Sequence, residues 1–250
     1  MKSITLSQTL PQLVAIVDTD FEHYEIWDTY YSARPARVLY SGQRQTAQSG
    51  IAVDANPHLL FDYNQRLLEL VCGVEPECIL LIGGGAYTLP MALLRLLPKL
   101  HIDVVEIDAQ LAPLAEAYFG LRPDRRQRQI TADGRDFLEQ SKQCYDFIII
   151  DAFQQASVPG TLIDESAAAL VEQHLKPNGI VAYNVIAYYR GPYSTGLRRR
   201  IATLRNNFPS VNVYPVDGML SHWLQQNYLL IGQLDSSQQL DAHLRFPALH

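Results

Sequence analysis

The amino-acid sequence predicts an α/β fold in which a mostly parallel β-sheet, covered by helices, follows a small β-rich N-terminal element. Two observations lead to this prediction. Short apolar runs alternate with segments of helix length over most of the chain, as expected of strands buried on both faces of a sheet. Near the N-terminus, β-prone runs are separated instead by Asp, Ser, Pro and Gly. We therefore divide the chain into an N-terminal element, 1–55, and a main domain, 56–250.

The N-terminal element is predicted to contain short strands and hairpins at 13–17, 24–28 and 37–40. A helix is predicted to follow it. Asp54-Ala-Asn-Pro57 supplies cap residues and a proline suited to a first helical position. Apolar residues then recur at helical spacing: Leu59, Leu60, Tyr63, Leu67, Leu68 and Val71.

The main domain is predicted to have seven strands. Five apolar runs predict parallel strands at 78–82, 101–107, 129–131, 147–150 and 180–185. Helices are expected between them at 87–97, 109–119 and 164–174, and another at 194–207. Two last strands, 211–216 and 228–231, are expected to close the sheet with an antiparallel edge.

Composition and charge narrow the functions open to this chain. Its 250 residues are 48% apolar and 18% charged, enough to bury one main core. The formal net charge of −6 disfavours nucleic acid as a partner and mildly favours a cationic small substrate. Three scattered cysteines and the absence of a signal peptide or membrane-length apolar segment predict a cytoplasmic protein without a membrane partner.

Candidate ligand contacts lie where the predicted strands end, because ligands of open α/β sheets bind beyond the carboxyl ends of the strands. The strand at 78–82 leads into Gly83, Gly84 and Gly85, whose missing β-carbons allow a ligand to approach the backbone. The alternative is a tight strand-to-helix turn without a ligand. A dinucleotide fingerprint needs a glycine where Thr88 stands, which disfavours NAD.

Three carboxylates follow the next strands. Glu106 lies about 20 residues beyond the glycine turn, the place from which a carboxylate accepts hydrogen bonds from ribose hydroxyls, and we assign Asp108 as the cap of the next helix. Asp133, followed by Gly134, is either a turn residue or a ligand of an adenine amino group. Asp151 is either a cap or a catalytic group.

In this order, the motifs resemble those of the spermidine/spermine synthase family, whose members transfer aminopropyl groups from decarboxylated S-adenosylmethionine (AdoMet) to amines. The family's GGGDGG, V-E-hydrophobic-D, D-G and Y-D-hydrophobic-hydrophobic-D motifs correspond here to 83–88, 105–108, 133–134 and 145–151. The family's N-terminal segments also have counterparts upstream in this chain, at His23-Tyr24, 37–45 and Phe61-Asp-Tyr63. The resemblance spans about 14–186, in motif order.

The resemblance implies the Rossmann-like fold of AdoMet-dependent transferases, with 56–250 as the nucleoside-binding catalytic domain. The residues it implies as cofactor-binding are Gln45, Gly83, Gly84, Gly85, Glu106, Ile107, Asp133 and Gly134. Among these, Gln45 lies near the sulfur-side tail or the amine, Glu106 binds ribose and Asp133 binds adenine. The implied catalytic residues are Asp151, at the reacting amine, and Tyr63.

The implied ligands are small molecules. The donor is decarboxylated AdoMet or AdoMet, the acceptor is an amine, and no metal is expected. A homodimer is also implied.

Several departures from the family pattern leave other functions open. Ala86 replaces the acid of the glycine run, Asn64-Gln65 replace the two residues after the family tyrosine, and Gln154 replaces the second acid of the loop after Asp151. The family's Q-x-E-S and Y-P-S-G-x-W segments are also missing. Little activity on free diamines is therefore expected. An AdoMet-dependent methyltransferase and a catalytically silent nucleoside-binding homologue remain alternatives.

Overall fold

Two β-sheets form the framework of the computed structural model, which describes residues 10–53, 58–152, 159–216, 224–235, 237 and 240. The N-terminal sheet is antiparallel, in the order β1-β2-β3-β4-β5. Its strands are β1 (Gln12–Asp18), β2 (His23–Tyr31), β3 (Arg34–Ser41), β4 (Thr46–Ala52) and β5 (His58–Leu59). The first three were predicted. β5 pairs with β4, so this sheet extends a few residues past the predicted boundary at 55, and the domain division itself stays a prediction.

The second sheet confirms the predicted α/β class. It has seven strands in the order β11-β12-β10-β9-β6-β7-β8, parallel except for β12, which runs antiparallel to both neighbours. The strands are β6 (Cys78–Ile82), β7 (His101–Glu106), β8 (Gln127–Thr131), β9 (Tyr145–Ile150), β10 (Leu175–Ala187), β11 (Ser210–Pro215) and β12 (Gln226–Gln233). This is the Rossmann-like topology, and the two last strands close the sheet as predicted, with β12 as the antiparallel strand next to the edge strand β11.

Helices cover both faces of this sheet. They are α1 (Asp62–Val74), α2 (Thr88–Leu96), α3 (Leu111–Leu114), α4 (Gly134–Gln140), α5 (Gly160–Ile163), α6 (Glu165–Gln173) and α7 (Thr195–Arg205). A π-helical turn, Ala115–Phe119, extends α3, and a 3₁₀ turn, Pro192–Ser194, precedes α7. One apolar cluster lies on each face of the sheet, with Leu81 in the first and Leu80 in the second, which explains why the strands are apolar throughout.

The predicted start of the first helix is wrong. α1 begins at Asp62, and Leu59 instead pairs with Ile51 in the N-terminal sheet. The apolar spacing suggested a longer helix because Leu59 and Leu60 stand at positions that fit a helical repeat. Both are buried in apolar clusters, but Leu59 belongs to β5 and Leu60 to the segment between β5 and α1. The predicted cap at 54–57 lies outside the described residues.

Polar contacts attach the N-terminal sheet to the main sheet. Thr19 donates to Asp108 (Oγ1 to Oδ2, 2.7 Å), just beyond β7. Arg37 forms a two-pronged ion pair with buried Asp28, at 2.7 and 2.9 Å, and donates to the carbonyl of Tyr118 at 3.1 Å. The N-terminal sheet is therefore held against the carboxyl end of the parallel strands, where a ligand is expected. Within the described ranges, no helix has the length and hydropathy to cross a membrane.

Candidate active site

A cavity of about 770 Å³ lies between the N-terminal sheet and the carboxyl ends of the parallel strands. It opens at the point where the strand order reverses, since β6 has β7 on one side and β9 on the other. The cavity lining includes every residue predicted for the site: Gln45, Tyr63, Gly83, Gly84, Gly85, Glu106, Ile107, Asp133, Gly134 and Asp151. The sequence therefore identified residues that the fold brings together, while their individual roles stay predictions.

The glycine turn after β6 is crowded by the protein itself. Gly83 has φ +99°, and a β-carbon there would lie 2.5 Å from the carbonyl oxygen of Asp151. Gly85 has φ +51°, and its β-carbon would lie 2.7 Å from Ser49 Oγ. At Gly84 a β-carbon would come within 3.0 Å of the Tyr87 ring. Close packing within the chain and a positive φ are thus sufficient reasons for Gly83 and Gly85, besides any ligand.

The backbone amides of this turn already have acceptors. Glu106 Oε2 accepts from the amides of Gly84 (2.7 Å) and Gly85 (3.2 Å). The Ala86 amide donates to Ser49 Oγ at 3.1 Å, and the Gly83 amide donates to the Val105 carbonyl at 2.9 Å. The turn is therefore not a ready site for an anionic ligand group, unlike a phosphate-binding loop with free amides.

Glu106 is half-buried at the end of β7, and its carboxylate braces the turn. Its second oxygen, Oε1, accepts from the Asp108 amide at 3.0 Å. Burial raises the pKa of Glu106, while the three backbone hydrogen bonds oppose that rise. Two carboxylate oxygens provide about four acceptor positions, so capacity remains for a ligand hydroxyl.

Asp133 caps α4, whereas Asp108, predicted as the cap of the next helix, is a turn residue before α3, whose N-cap position is Gln110. Asp133 Oδ1 accepts from the amides of Arg135 (2.7 Å) and Asp136 (3.2 Å) at the start of α4. Its other oxygen, Oδ2, makes no hydrogen bond within the described part of the chain. Asp108 Oδ1 accepts from the Gln110 amide at 2.9 Å, just before α3. For Asp133 the turn interpretation is therefore correct for one oxygen and leaves the other for a ligand.

Asp151 lies at the floor of the cavity, directly after β9. Its Oδ1 accepts from Asn184 Nδ2 at 2.8 Å, and the carboxylate interacts with the Tyr63 hydroxyl. Burial raises the pKa of Asp151 to about 7, with a smaller rise from the charge of Glu106. The hydrogen bonds from Asn184 and Tyr63 act in the opposite direction. A carboxyl group that titrates near neutral pH suits a general base.

Tyr63 and Asn64, at the start of α1, also line the cavity, and Tyr63 interacts with this carboxylate. Burial and the charge of Asp151 raise the pKa of Tyr63 well above its usual value, so the phenol stays protonated as a donor. Its ring stacks on Phe61 with centroids 6.0 Å apart. Asn64 is buried, and its Oδ1 has no hydrogen-bond partner within the described residues. Asn64 Oδ1 is thus a buried acceptor of a residue that lines the cavity.

The charged groups of the cavity have one sign. Its described lining includes the carboxylates of Glu22, Glu106, Asp108, Asp133 and Asp151, and no Lys, Arg or His. Across the described residues of the chain, no group of three or more His, Cys, Asp or Glu side chains is placed to hold a metal. The electrostatic field of this lining favours a cationic ligand.

Three polar residues of the site were missed by sequence reasoning. Ser49, in β4, accepts a hydrogen bond from the Ala86 amide of the glycine turn. β4 was not predicted because most of its residues are polar or small. Asn184 and Asn227 hydrogen-bond to each other behind Asp151. The available signal was Asn184 itself, a single amide inside an apolar strand. Gln154, the predicted replacement of a family acid, lies outside the described residues, and Ala86 is buried in an apolar cluster.

Comparisons with known proteins match this chain to polyamine aminopropyltransferases and to methyltransferases. Residues 62–189 match the family model described as the spermine/spermidine synthase domain. A polyamine aminopropyltransferase of Vibrio vulnificus is 30% identical over 171 residues, covering 67% of this chain and 55% of that protein. The human eEF1A lysine and N-terminal methyltransferase is 27% identical over 217 residues, covering 80% of this chain and 29% of that protein.

Among solved structures, a probable spermidine synthase from Corynebacterium glutamicum has the same fold. The two chains superpose with a TM-score of 0.77 at 20% identity, over 95% of this chain and 90% of that one. By contrast, this chain spans about half the length of the Vibrio relative and less than a third of the human one.

Proposed function

Since the chain belongs to the spermine/spermidine synthase family, we propose that it transfers an aminopropyl group from decarboxylated AdoMet to an amine. The donor binds in the cavity above the glycine turn. The amine acceptor binds at the floor, beside Asp151 and Tyr63. Methylthioadenosine is the second product.

The observation that carries this proposal is the absence of a cation in the described cavity lining, together with the saturated glycine turn. AdoMet has a carboxylate on its methionine tail, and that group requires a cation or free amide donors when it is desolvated. Decarboxylated AdoMet has only a sulfonium and an ammonium, both of which the five carboxylates attract. The site therefore favours the decarboxylated donor.

The reaction requires a neutral amine. An ammonium acceptor loses a proton to Asp151, whose pKa near 7 allows it to accept that proton at neutral pH. The amine lone pair then attacks the methylene carbon next to the sulfonium. A C–N bond forms, the C–S bond breaks, and its electron pair returns to sulfur as methylthioadenosine leaves. Tyr63 donates to Asp151 and restricts where the amine is held.

The remaining residues are assigned to the nucleoside. Glu106 accepts from the ribose hydroxyls with its unused lone pairs, and Ile107 packs beside the nucleoside. Asp133 accepts from the adenine amino group through Oδ2, next to the backbone of Gly134. Gln45, exposed at the cavity rim, contacts the sulfur-side tail or the amine. A cytoplasmic location, a homodimer and the division at residue 55 complete the proposal.

A methyltransferase is the second candidate, because the match to the human eEF1A methyltransferase covers 80% of this chain. Both donors have the same adenosine part, so contacts to the nucleoside do not distinguish the two functions. The products separate the two functions, since aminopropyl transfer releases methylthioadenosine and methyl transfer releases S-adenosylhomocysteine.

The test is to incubate the protein with each donor and a panel of mono-, di- and polyamines, and to separate the nucleoside products by chromatography. We expect methylthioadenosine from decarboxylated AdoMet, at a rate that falls about 10²-fold or more in Asp151→Asn. S-adenosylhomocysteine alone would establish the second candidate. If neither product forms with any amine, the proposal of aminopropyl transfer is wrong.

A further inference from the structure

Asn184 is a buried amide that the proposed chemistry does not require. It lies in β10 among Ile180, Val181, Ala182, Tyr183 and Val185, all of them buried and apolar or aromatic, and is itself 0% exposed. A buried amide is unfavourable unless its donors and acceptor are hydrogen-bonded. Its partners therefore explain its presence in this strand.

Three adjacent strands align those partners. β10 lies between β12 and β9 in the sheet. Asn227 is in β12, Asn184 is in β10, and Asp151 directly follows β9. Asn227 Nδ2 donates to Asn184 Oδ1 at 2.9 Å, and Asn184 Nδ2 donates to Asp151 Oδ1 at 2.8 Å. Asn227 is paired with Ile186, two residues from Asn184, so both side chains project from the same face of the sheet.

The direction of this chain of hydrogen bonds has a consequence for Asp151. An asparagine amide can present either its oxygen or its NH₂ group to a neighbour, and the hydrogen-bond network decides which. Because Asn227 donates to the oxygen of Asn184, the NH₂ group of Asn184 faces Asp151. That arrangement is compatible with an ionised carboxylate, whereas the reverse would place two acceptor oxygens against each other.

We propose that Asn184, oriented by Asn227, is a positioning residue that holds the Asp151 carboxylate as a hydrogen-bond acceptor at the cavity floor. Asn184 does not contact the reacting atoms and acts through Asp151. The proposal rests on the proposed function for the role of Asp151, but the contact can be tested without ligand or turnover.

The groups that face Asp151 determine the expected effect. Tyr63 on α1 and Asn184 on β10 donate to the carboxylate and lower its pKa, while burial and the charge of Glu106 at the end of β7 raise it. Removing the Asn184 amide leaves burial and Glu106 opposed by Tyr63 alone. The titration midpoint of Asp151 is therefore expected to rise by about one pH unit, as for the loss of one hydrogen bond to a carboxylate.

The experiment is an NMR titration of protein labelled with ¹³C at aspartate Cγ, with Asp151→Asn used to assign the resonance. Asn184→Ala is expected to raise the midpoint by about one unit, and Asn227→Ala to raise it by less, because the Asn184 amide stays but loses its fixed direction. Asn212→Ala, which removes an amide on neighbouring β11 bonded to Ser210 and Gln233, is the matched control and should leave the midpoint unchanged.

An unchanged midpoint in folded Asn184→Ala would overturn the proposal. If that variant does not fold, Asn227→Ala decides the question, and an unchanged midpoint there has the same meaning. A merely structural role would lower the melting temperature in both variants without moving the titration. Failure of the proposed function would instead appear as absent product in the wild-type assay, whatever the titration shows.

Discussion

At the scale of single residues, the folded protein stabilises the protonated form of Asp151 more than the ionised form, because the carboxyl is buried. Its raised pKa means that the folded protein binds the proton more tightly than the unfolded chain does. Ionising this carboxyl in the folded state therefore lowers stability. Such a cost at a site of proposed chemistry is what a general base near neutral pH requires.

Asp151→Asn is accordingly expected to stabilise the protein at high pH. Burial raises the pKa of the wild-type carboxyl to about 7 in the folded protein, against an ordinary value of 3.8. The cost is absent below the unfolded pKa, grows as pH rises from about 4, and is complete above about pH 7. Urea unfolding at pH 8 should show the variant more stable by about 2 to 4 kcal/mol, at 1.36 kcal/mol per pH unit.

The control is the same comparison near pH 4, where the two proteins should have similar stabilities. Equal stabilities at pH 8 would mean that Asp151 is not desolvated. The variant should at the same time lose transfer activity, which separates the stability of the fold from the function of the residue.

Glu106→Gln tests the nucleoside assignment. A glutamine side chain has one acceptor oxygen and one NH₂ group, so it cannot accept from Gly84, Gly85 and Asp108 at both ends. We expect methylthioadenosine affinity to fall by about 1 to 3 kcal/mol, or roughly 5- to 150-fold. Calorimetry measures it, with Glu116→Gln, an exposed carboxylate nearby in the chain, as the control. Unchanged affinity for every adenosyl ligand would remove Glu106 from the site.

At the scale of elements, the sequence predicted those strands and helices whose apolar residues follow the spacing that burial in the sheet requires. β6 was predicted at its observed bounds because a doubly covered strand must be apolar at every position. β4 was missed because polar and small residues leave it without a clear apolar period, and α4 was missed because its seven residues are too few to show a helical repeat. Asn184 and Ser49 were missed because their partners come from distant parts of the chain.

The contact between Gly85 in the glycine turn and Ser49 in the N-terminal sheet could not be predicted from sequence, because it joins two separate elements. Gly85→Ala is expected to destabilise the fold, because φ is +51° and the new β-carbon would meet Ser49 Oγ. Gly120→Ala is the matched control, since φ there is +80° and no atom lies within 4 Å of its β-carbon position. The difference between the two variants isolates the steric part.

We expect Gly85→Ala to cost about 1 to 3 kcal/mol more than Gly120→Ala in urea unfolding, the usual range for overpacking. Adding Ser49→Gly to Gly85→Ala should recover part of that difference. Equal costs for the two alanine variants would show that the N-terminal sheet does not press on the turn.

At the scale of the whole molecule, both the net charge and the arrangement of the two sheets favour binding of a cationic ligand in the cavity. The chain has a net charge of −6, and the N-terminal sheet closes a cavity whose described lining has carboxylates as its only charged groups. The two sheets are joined by an apolar cluster that both contribute to. Hydrogen bonds also join them, from Thr19, Arg37 and Ser49 to Asp108, the Tyr118 carbonyl and the Ala86 amide. The cavity therefore exists only where both sheets are folded together.

The long-range field of these carboxylates should make ligand affinity depend on salt. Affinity for decarboxylated AdoMet, which has a sulfonium and an ammonium, should fall as salt rises from about 0.01 to 0.15 M, because the Debye length shortens from about 30 to 8 Å. Methylthioadenosine is uncharged at sulfur and lacks the ammonium, so its affinity should change little over the same range. AdoMet, with an added carboxylate, should bind more weakly than its decarboxylated form at every salt concentration. Calorimetry with the three ligands measures these differences. AdoMet binding as tightly as the decarboxylated donor would mean that the cavity provides a cation or free amide for the carboxylate, and the electrostatic argument for aminopropyl transfer would then be wrong.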